Sequence, residues 1–137
     1  MSRVQLALRV GDLEASVRFY SALFGVVPAK RRPGYANFAV ADPPLKLVLL
    51  DGAPGEPTAM DHLGVEVDGS EEVDAATRRL GAEGMSTRVE DDVVCCYARQ
   101  DKVWVTGPGE EPWEVYTVTG DSAVYASDGV TAACCPT

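Results

Sequence analysis

Histidine is nearly missing from this 137-residue chain, which has one, at position 62. Cysteine is scarce too: four residues, arranged as the adjacent pairs Cys95–Cys96 and Cys134–Cys135. A secreted disulfide framework would scatter its cysteines, so this spacing excludes one and places the protein in a reducing cytoplasm. Neighbouring cysteines bond to each other only in a strained small ring, so each pair is expected to be reduced. Positive charge is in deficit, with 12 Lys and Arg against 21 Asp and Glu, for a net charge of −9. That balance excludes nucleic acid and anionic membrane as partners, since either would be repelled. The one basic run, "KRR" at Lys30–Arg32, reads as a solvated patch. No apolar run reaches the ~18 residues of a membrane span. The N-terminus lacks the apolar core and cleavage site of a secretory signal.

What remains is ordinary for a globular protein: 46% apolar and 24% charged residues. The length suits one domain that needs no disulfide to fold. Within it one unit is written twice. "QLALRVGDLEASVRFYSALFG", from Gln5, matches "HLGVEVDGSEEVDAATRRLGAEG", from His62. Each opens on a polar residue, continues as an alternating strand, turns, and ends as a helix closed by glycine. Leu6, Leu8 and Val10 mark the inner face of the first strand; Leu63, Val65 and Val67 mark that of the second. Asp12 caps the first helix, whose inner stripe is Leu13, Val17, Tyr20 and Phe24, and Gly25 ends it. Ser70 is the expected cap of the second helix, with stripe Val73, Ala76, Thr77 and Leu80 and end at Gly81. Further strands are expected at 26–32, 35–40 and 45–50, and again at 85–89, 103–106 and 113–118. Gly- and Pro-rich turns punctuate them. The chain therefore reads as α+β: a single domain over 1–119, made of βαβββ modules at 1–51 and 61–119 with a linker at 52–60. Residues 120–137 are polar, small and aperiodic, and are expected to be a mobile tail.

The repeat makes Gln5 and His62 equivalent, and aligning "PLKLVLL" with "PWEVYTV" makes Lys46 the counterpart of Glu114. A lone histidine is more often structural than a ligand, but this one opens a strand and has a polar counterpart. Glu114 stands in an apolar strand; if it points inward it needs a partner, and a metal ion would serve. Lys46 cannot ligate while charged. Gln5, His62 and Glu114 would form an N/O set with open positions, suited to Fe(II), though Mn, Ni, Co or Zn fit the same donors. The pair Cys95–Cys96 lies in "DVVCCYARQDKVWV". Two small buried residues in a strand are the plain reading of "VVCCYA"; the charged flanks favour an exposed, mobile loop instead. Two thiolates on one loop chelate thiophilic ions, while a structural zinc site would need ligands absent nearby. Cys134–Cys135 repeat the motif in the tail, either to capture the same soft ligand or as a dispensable end.

The doubled pattern, covering roughly residues 3–118, resembles the vicinal-oxygen-chelate superfamily of glyoxalase I, extradiol dioxygenases and bleomycin- and fosfomycin-resistance proteins. Within it, "LEASVRFYSALFGVVPAKRRPGYANFAVADPPLKLVLL", "DHLGVEV", "CCYARQDKVWVTGP" and "WEVYTV" are similar to the organoarsenical carbon–arsenic lyases. The resemblance implies two modules forming a curved mixed sheet around a metal site. It implies a cytoplasmic arsenic-detoxification enzyme of the dioxygenase type, using Fe(II) and O₂ to release arsenite from trivalent methyl and aromatic arsenicals. Gln5, His62 and Glu114 would hold iron, and Cys95 and Cys96 the arsenic. Lys102 would stabilise developing charge or clasp the closed loop, or be plain surface charge. Tyr97 would pack against an aromatic substituent or anchor the loop. Gln at the first ligand position departs from the His usual in extradiol dioxygenases. Two other readings are a thiol-based metal or metalloid sequestrant without turnover, and a glyoxalase-like metalloenzyme. The modules pair within one chain or across a homodimer.

Overall fold

A computed structural model describes residues 2–126. It divides into two compact units, Arg3–Asp61 and the chain from His62 onward. In the first unit, β1 (Arg3–Val10) leads into α1 (Leu13–Phe24), followed by β2 (Lys30–Arg32), β3 (Tyr35–Val40) and β4 (Leu45–Asp51). β5 (Ala59–Glu66) carries the chain into the second unit, which continues with α2 (Ser70–Ala82), β6 (Thr87–Cys95), β7 (Ala98–Thr106) and β8 (Pro112–Asp121). Each unit is thus a βαβββ module, its four strands lying in the order β2-β3-β4-β1 in the first and β5-β8-β7-β6 in the second. The first and last strands of each module run parallel, and the remaining pairs are antiparallel.

In the first unit the Asp12 carboxylate accepts from the Ala15 backbone N–H at 3.0 Å, one of the orphan donors of a helix start. Gly25, at φ 66°, ends α1 in the left-handed conformation that glycine adopts without strain. Leu13, Val17, Tyr20 and Phe24 pack on Leu8, Val10, Ala36, Phe38, Val40, Leu47 and Leu49. Strand alternation then places Gln5, Ala7, Asn37 and Val48 on the opposite face of that sheet, all buried.

The second unit repeats the plan with different ends. Val73 and Ala76 of α2 pack on Val103, Val67 and Val115. The cap is Gly69, not Ser70, which is the first helical residue. Ser70 instead spends its hydroxyl on Asp101, donating to Oδ2 at 2.5 Å. The helix also runs past Gly81 to Ala82, and Gly84 (φ 78°) takes the left-handed position. β6 and β7 are far longer than the expected segments at 85–89 and 103–106. β8 continues through Gly120 to Asp121, so the expected tail does not begin at 120. Residues 122–126 turn back onto β6: Ala126 bridges Cys95, and the Ser122 N–H donates to the Tyr97 carbonyl at 3.0 Å. Cys134 and Cys135 lie outside the described residues.

Candidate functional site

The face of the second sheet that points away from α2 is polar. Alternation along β7 puts Gln100, Lys102 and Trp104 on it, while Val103 faces the helix. Register adds Glu114 opposite Trp104 and Tyr116 opposite Lys102 from β8. Gly64 of β5 stands opposite Glu114, and His62 lies two residues before it on the same face. All of these side chains are buried.

Glu114 does point inward, but its partner is an ammonium group. Lys102 Nζ donates to Glu114 Oε2 at 2.9 Å, and the two residues are 1% and 2% exposed. Lys102 is therefore not surface charge; it sits in the middle of β7. Its other neighbours are the faces of Trp104 and Tyr116, with Nζ 5.3 and 5.8 Å from the ring centroids. These rings favour a cation and replace part of its lost hydration. The second carboxylate oxygen, Oε1, stands 3.9 Å from His62 Nε2, beyond hydrogen-bond length. The His62 ring meets the Trp104 ring edge-on, centroids 5.5 Å apart, and Trp104 is held by its indole N–H donating to Glu90 Oε1 at 2.8 Å. Trp104 is thus a wall against both the histidine and the lysine. Sequence reasoning missed it, though the period-2 spacing of Gln100, Lys102 and Trp104 in "QDKVW" carried the signal.

The donor chemistry fits a divalent ion at the His62–Glu114 pair. Two donors sharing an ion at ~2.1 Å each stand roughly 3.0 Å apart at a right angle and roughly 4.2 Å when opposed. The observed separation of 3.9 Å falls within that span. No group of three His, Cys, Asp or Glu side chains suited to a metal occurs among the described residues. A three-donor site at this pair would draw its third donor from another residue type. Gln5, an amide, is buried on the face of β1 away from α1, in the other unit. The register corrects the equivalence of the four positions. Gln5 stands opposite Lys46, but Glu114 stands opposite Gly64, two residues beyond His62. A slip of two keeps the face and moves the position along it, so Lys46 is not the positional twin of Glu114 if Gln5 is the twin of His62.

The cysteines lie at a hairpin tip, not in a long loop. Cys95 ends β6, Ala98 begins β7, and the two are paired, leaving Cys96 and Tyr97 as a two-residue turn. Both have positive φ, 52° and 62°, the signature of a type I′ turn. Cysteine and tyrosine are strained in that conformation where Asn-Gly would not be. Cys95 is 1% exposed, closer to the plain buried-strand reading than to an exposed loop; Cys96 is half-buried. The sulfurs are 3.8 Å apart and so are not bonded to each other. Cys96 forms no disulfide, whereas Cys95 is disulfide-bonded, so the expected reduced state holds for Cys96 and not for Cys95. A strained ring bars the bond between neighbours; it does not bar a bond to a more distant sulfur. Tyr97 packs edge-on against Tyr125, ring centroids 5.6 Å apart, and the Tyr125 hydroxyl is 3.9 Å from Cys96 Sγ. Tyr97 thus anchors the turn to the segment that folds back over it. Tyr125 belonged to the expected tail, and nothing in its sequence surroundings marked it.

The turn and the polar face share β7. From the turn, Ala98 starts the strand, and Gln100 and Lys102 follow on one face. The Gln100 amide N–H donates to the Cys95 carbonyl at 2.8 Å. The bulge between Glu90 and Val93 in β6 is set by Asp101, whose Oδ1 accepts from the Asp92 N–H at 2.7 Å.

Residues 3–115 match the model of the Glyoxalase/Bleomycin resistance protein/Dioxygenase superfamily. The chain is 64% identical, over 99% of its length and 90% of the relative's, to a trivalent organoarsenical cleaving enzyme of Thermomonospora curvata. It is 57% identical, over 98% of its length and 93% of the relative's, to the cadmium-induced protein CadI of Mycobacterium tuberculosis. Among solved structures, the Mn(II)-bound glyoxalase of Novosphingobium aromaticivorans aligns with a TM-score of 0.62 at 21% identity, over 90% of this chain and 42% of that one.

Proposed function

The chain belongs to the Glyoxalase/Bleomycin resistance protein/Dioxygenase superfamily, and on that premise we propose that it cleaves the carbon–arsenic bond of trivalent organoarsenicals to give arsenite. The observation that carries this reading is the strand β7. It joins a strained vicinal-thiol turn at one end to a buried Lys102–Glu114–His62 set in its middle. The named activity of the Thermomonospora relative supports it. Cys96 and Cys95, the latter as a thiol in a reducing cytoplasm, each condense with one hydroxyl of a methyl- or arylarsonous acid. Each condensation forms an As–S bond and releases water, leaving the organic group as arsenic's third substituent. Tyr97 steadies the turn, so the substrate is presented in one orientation rather than by free encounter.

Gln5, His62 and Glu114 are the donors we assign to a divalent ion, Fe(II), with O₂ as co-substrate. When bound, that ion supplies the redox chemistry for dioxygen. Lys102 holds one oxygen of Glu114, which leaves the other directed toward His62. Trp104 holds the His62 ring from the side and excludes water from the pair. The deciding experiment is arsenic speciation after incubation with methylarsonous acid or phenylarsenite, Fe(II) and reductant in air. Arsenite is expected. Stoichiometric binding with the carbon–arsenic bond intact would instead favour a thiol sequestrant, a reading to which the cadmium-induced relative lends some weight. Cys96→Ser is expected to abolish arsenite release while leaving iron binding unchanged, measured by metal titration.

A further inference from the structure

Gln100 is 3% exposed, and its Oε1 is a buried acceptor with no hydrogen-bond partner among the described residues. The orientation of the amide is not arbitrary. The Cys95 carbonyl can only accept, so the group facing it at 2.8 Å must be Nε2. Oε1 is thereby fixed on the other arm of the amide, and Gln100 shares the polar face of β7 with Lys102 and Trp104 by strand alternation. A buried acceptor left empty is costly, and such sites are retained where a ligand or water supplies the donor. The neighbouring Cys96 forms no disulfide and sits on a strained turn.

We propose that Gln100 is a substrate-positioning residue whose Oε1 accepts a hydrogen bond from the arsenic-bound hydroxyl that remains after Cys96 forms the first As–S bond. This rests on the reading of the thiols as an arsenical trap. In the first step the Cys96 thiol condenses with R–As(OH)₂, releasing one water and leaving Cys96–S–As(R)–OH. Gln100 holds that hydroxyl beside the turn. In the second step Cys95, first released as a thiol from its disulfide by a cytoplasmic thiol reductant that is itself oxidised to a disulfide, replaces that hydroxyl, forming the second As–S bond and releasing a second water. The oxidation state of arsenic changes in neither step. Gln100 thus selects arsenicals with two exchangeable hydroxyls.

The test uses the metal-free Cys95→Ser protein, in which the one-thiol adduct persists. Two probes are compared: methylarsonous acid, which keeps a hydroxyl after the first bond, and dimethylarsinous acid, which does not. Adding Gln100→Leu, or Gln100→Met of matched length, should weaken methylarsonous acid binding roughly tenfold, the value of one hydrogen bond to a buried acceptor. Dimethylarsinous acid binding and the rate of Cys96 alkylation by iodoacetamide should not change. A purely structural role would weaken both arsenicals together and alter alkylation. Equal loss for both probes, no loss for either, or no binding by the parent overturns the proposal. Turnover does not enter this measurement. A protein that shows the hydroxyl preference yet leaves the carbon–arsenic bond intact would sink the proposed function and not this inference.

Discussion

Of the residues in the site, Lys102 is the one whose environment most constrains its role. An ammonium 1% exposed survives in a folded protein because Glu114 and two aromatic faces compensate it. Lys102→Met should therefore leave an uncompensated carboxylate and lower stability by about 3–5 kcal/mol, measured by urea denaturation. Added divalent metal should restore more stability to the variant than to the parent, because the ion supplies the missing positive charge. A loss under about 1 kcal/mol, or equal metal stabilisation in both proteins, would mean that the pair does not hold Glu114. This pairing was not legible in the sequence for a simple reason. Lys102 and Glu114 are adjacent through space by antiparallel register, and which strand faces which is not written in local periodicity. The inward aim of Glu114 was legible as one of two options, since a lone carboxylate in an apolar strand is either solvated or paired.

The hairpin of β6 and β7 sets element-scale geometry against local preference. Two consecutive non-glycine residues at positive φ cost about 1 kcal/mol each relative to residues that tolerate it. Replacing Cys96-Tyr97 by Asn-Gly should raise stability by roughly 1–2 kcal/mol in urea denaturation, with arsenical capture lost. A destabilised hairpin would show that the Tyr97–Tyr125 contact outweighs the backbone strain. Here lies the largest gap between sequence and structure. The helices were legible to within a residue or two because Asp12, Gly25 and the apolar stripes agree with one another. β6 was not, because "TRVEDDVV" is charged along most of its length. It is an edge strand in the order β5-β8-β7-β6, where charge is tolerated and guards against edge pairing. Its bulge at Asp91–Asp92 further breaks the alternation that identifies a strand. Without β6 in view, "CCYA" reads as loop when it is the tightest turn available.

At the scale of the whole molecule the proposal requires two independent grips, sulfur for arsenic and nitrogen with oxygen for the metal. Independence makes a thermodynamic prediction. A ligand that binds the folded state stabilises it by about 2.7 kcal/mol at a hundredfold excess over its Kd, which for a chain of this length raises Tm by roughly 10 °C. Divalent metal should shift the wild-type melting temperature on this scale, and a chelator should reverse the shift. Cys95→Ser/Cys96→Ser should keep the full shift, because sulfur is not among the proposed metal donors. His62→Ala should lose nearly all of it, and Gln5→Ala part of it, since an amide is the weakest of the three donors. The reverse pattern, with the shift lost on removing the thiols and kept without His62, would assign the metal to Cys95–Cys96 and make the protein a sequestrant. Salt provides a second discriminator. The arsonous acids are uncharged at neutral pH, so the net charge of −9 neither attracts nor repels them, and their association rate should not change with ionic strength. A cation captured by the thiols would instead be drawn in by that charge, and its association would slow as salt screens it.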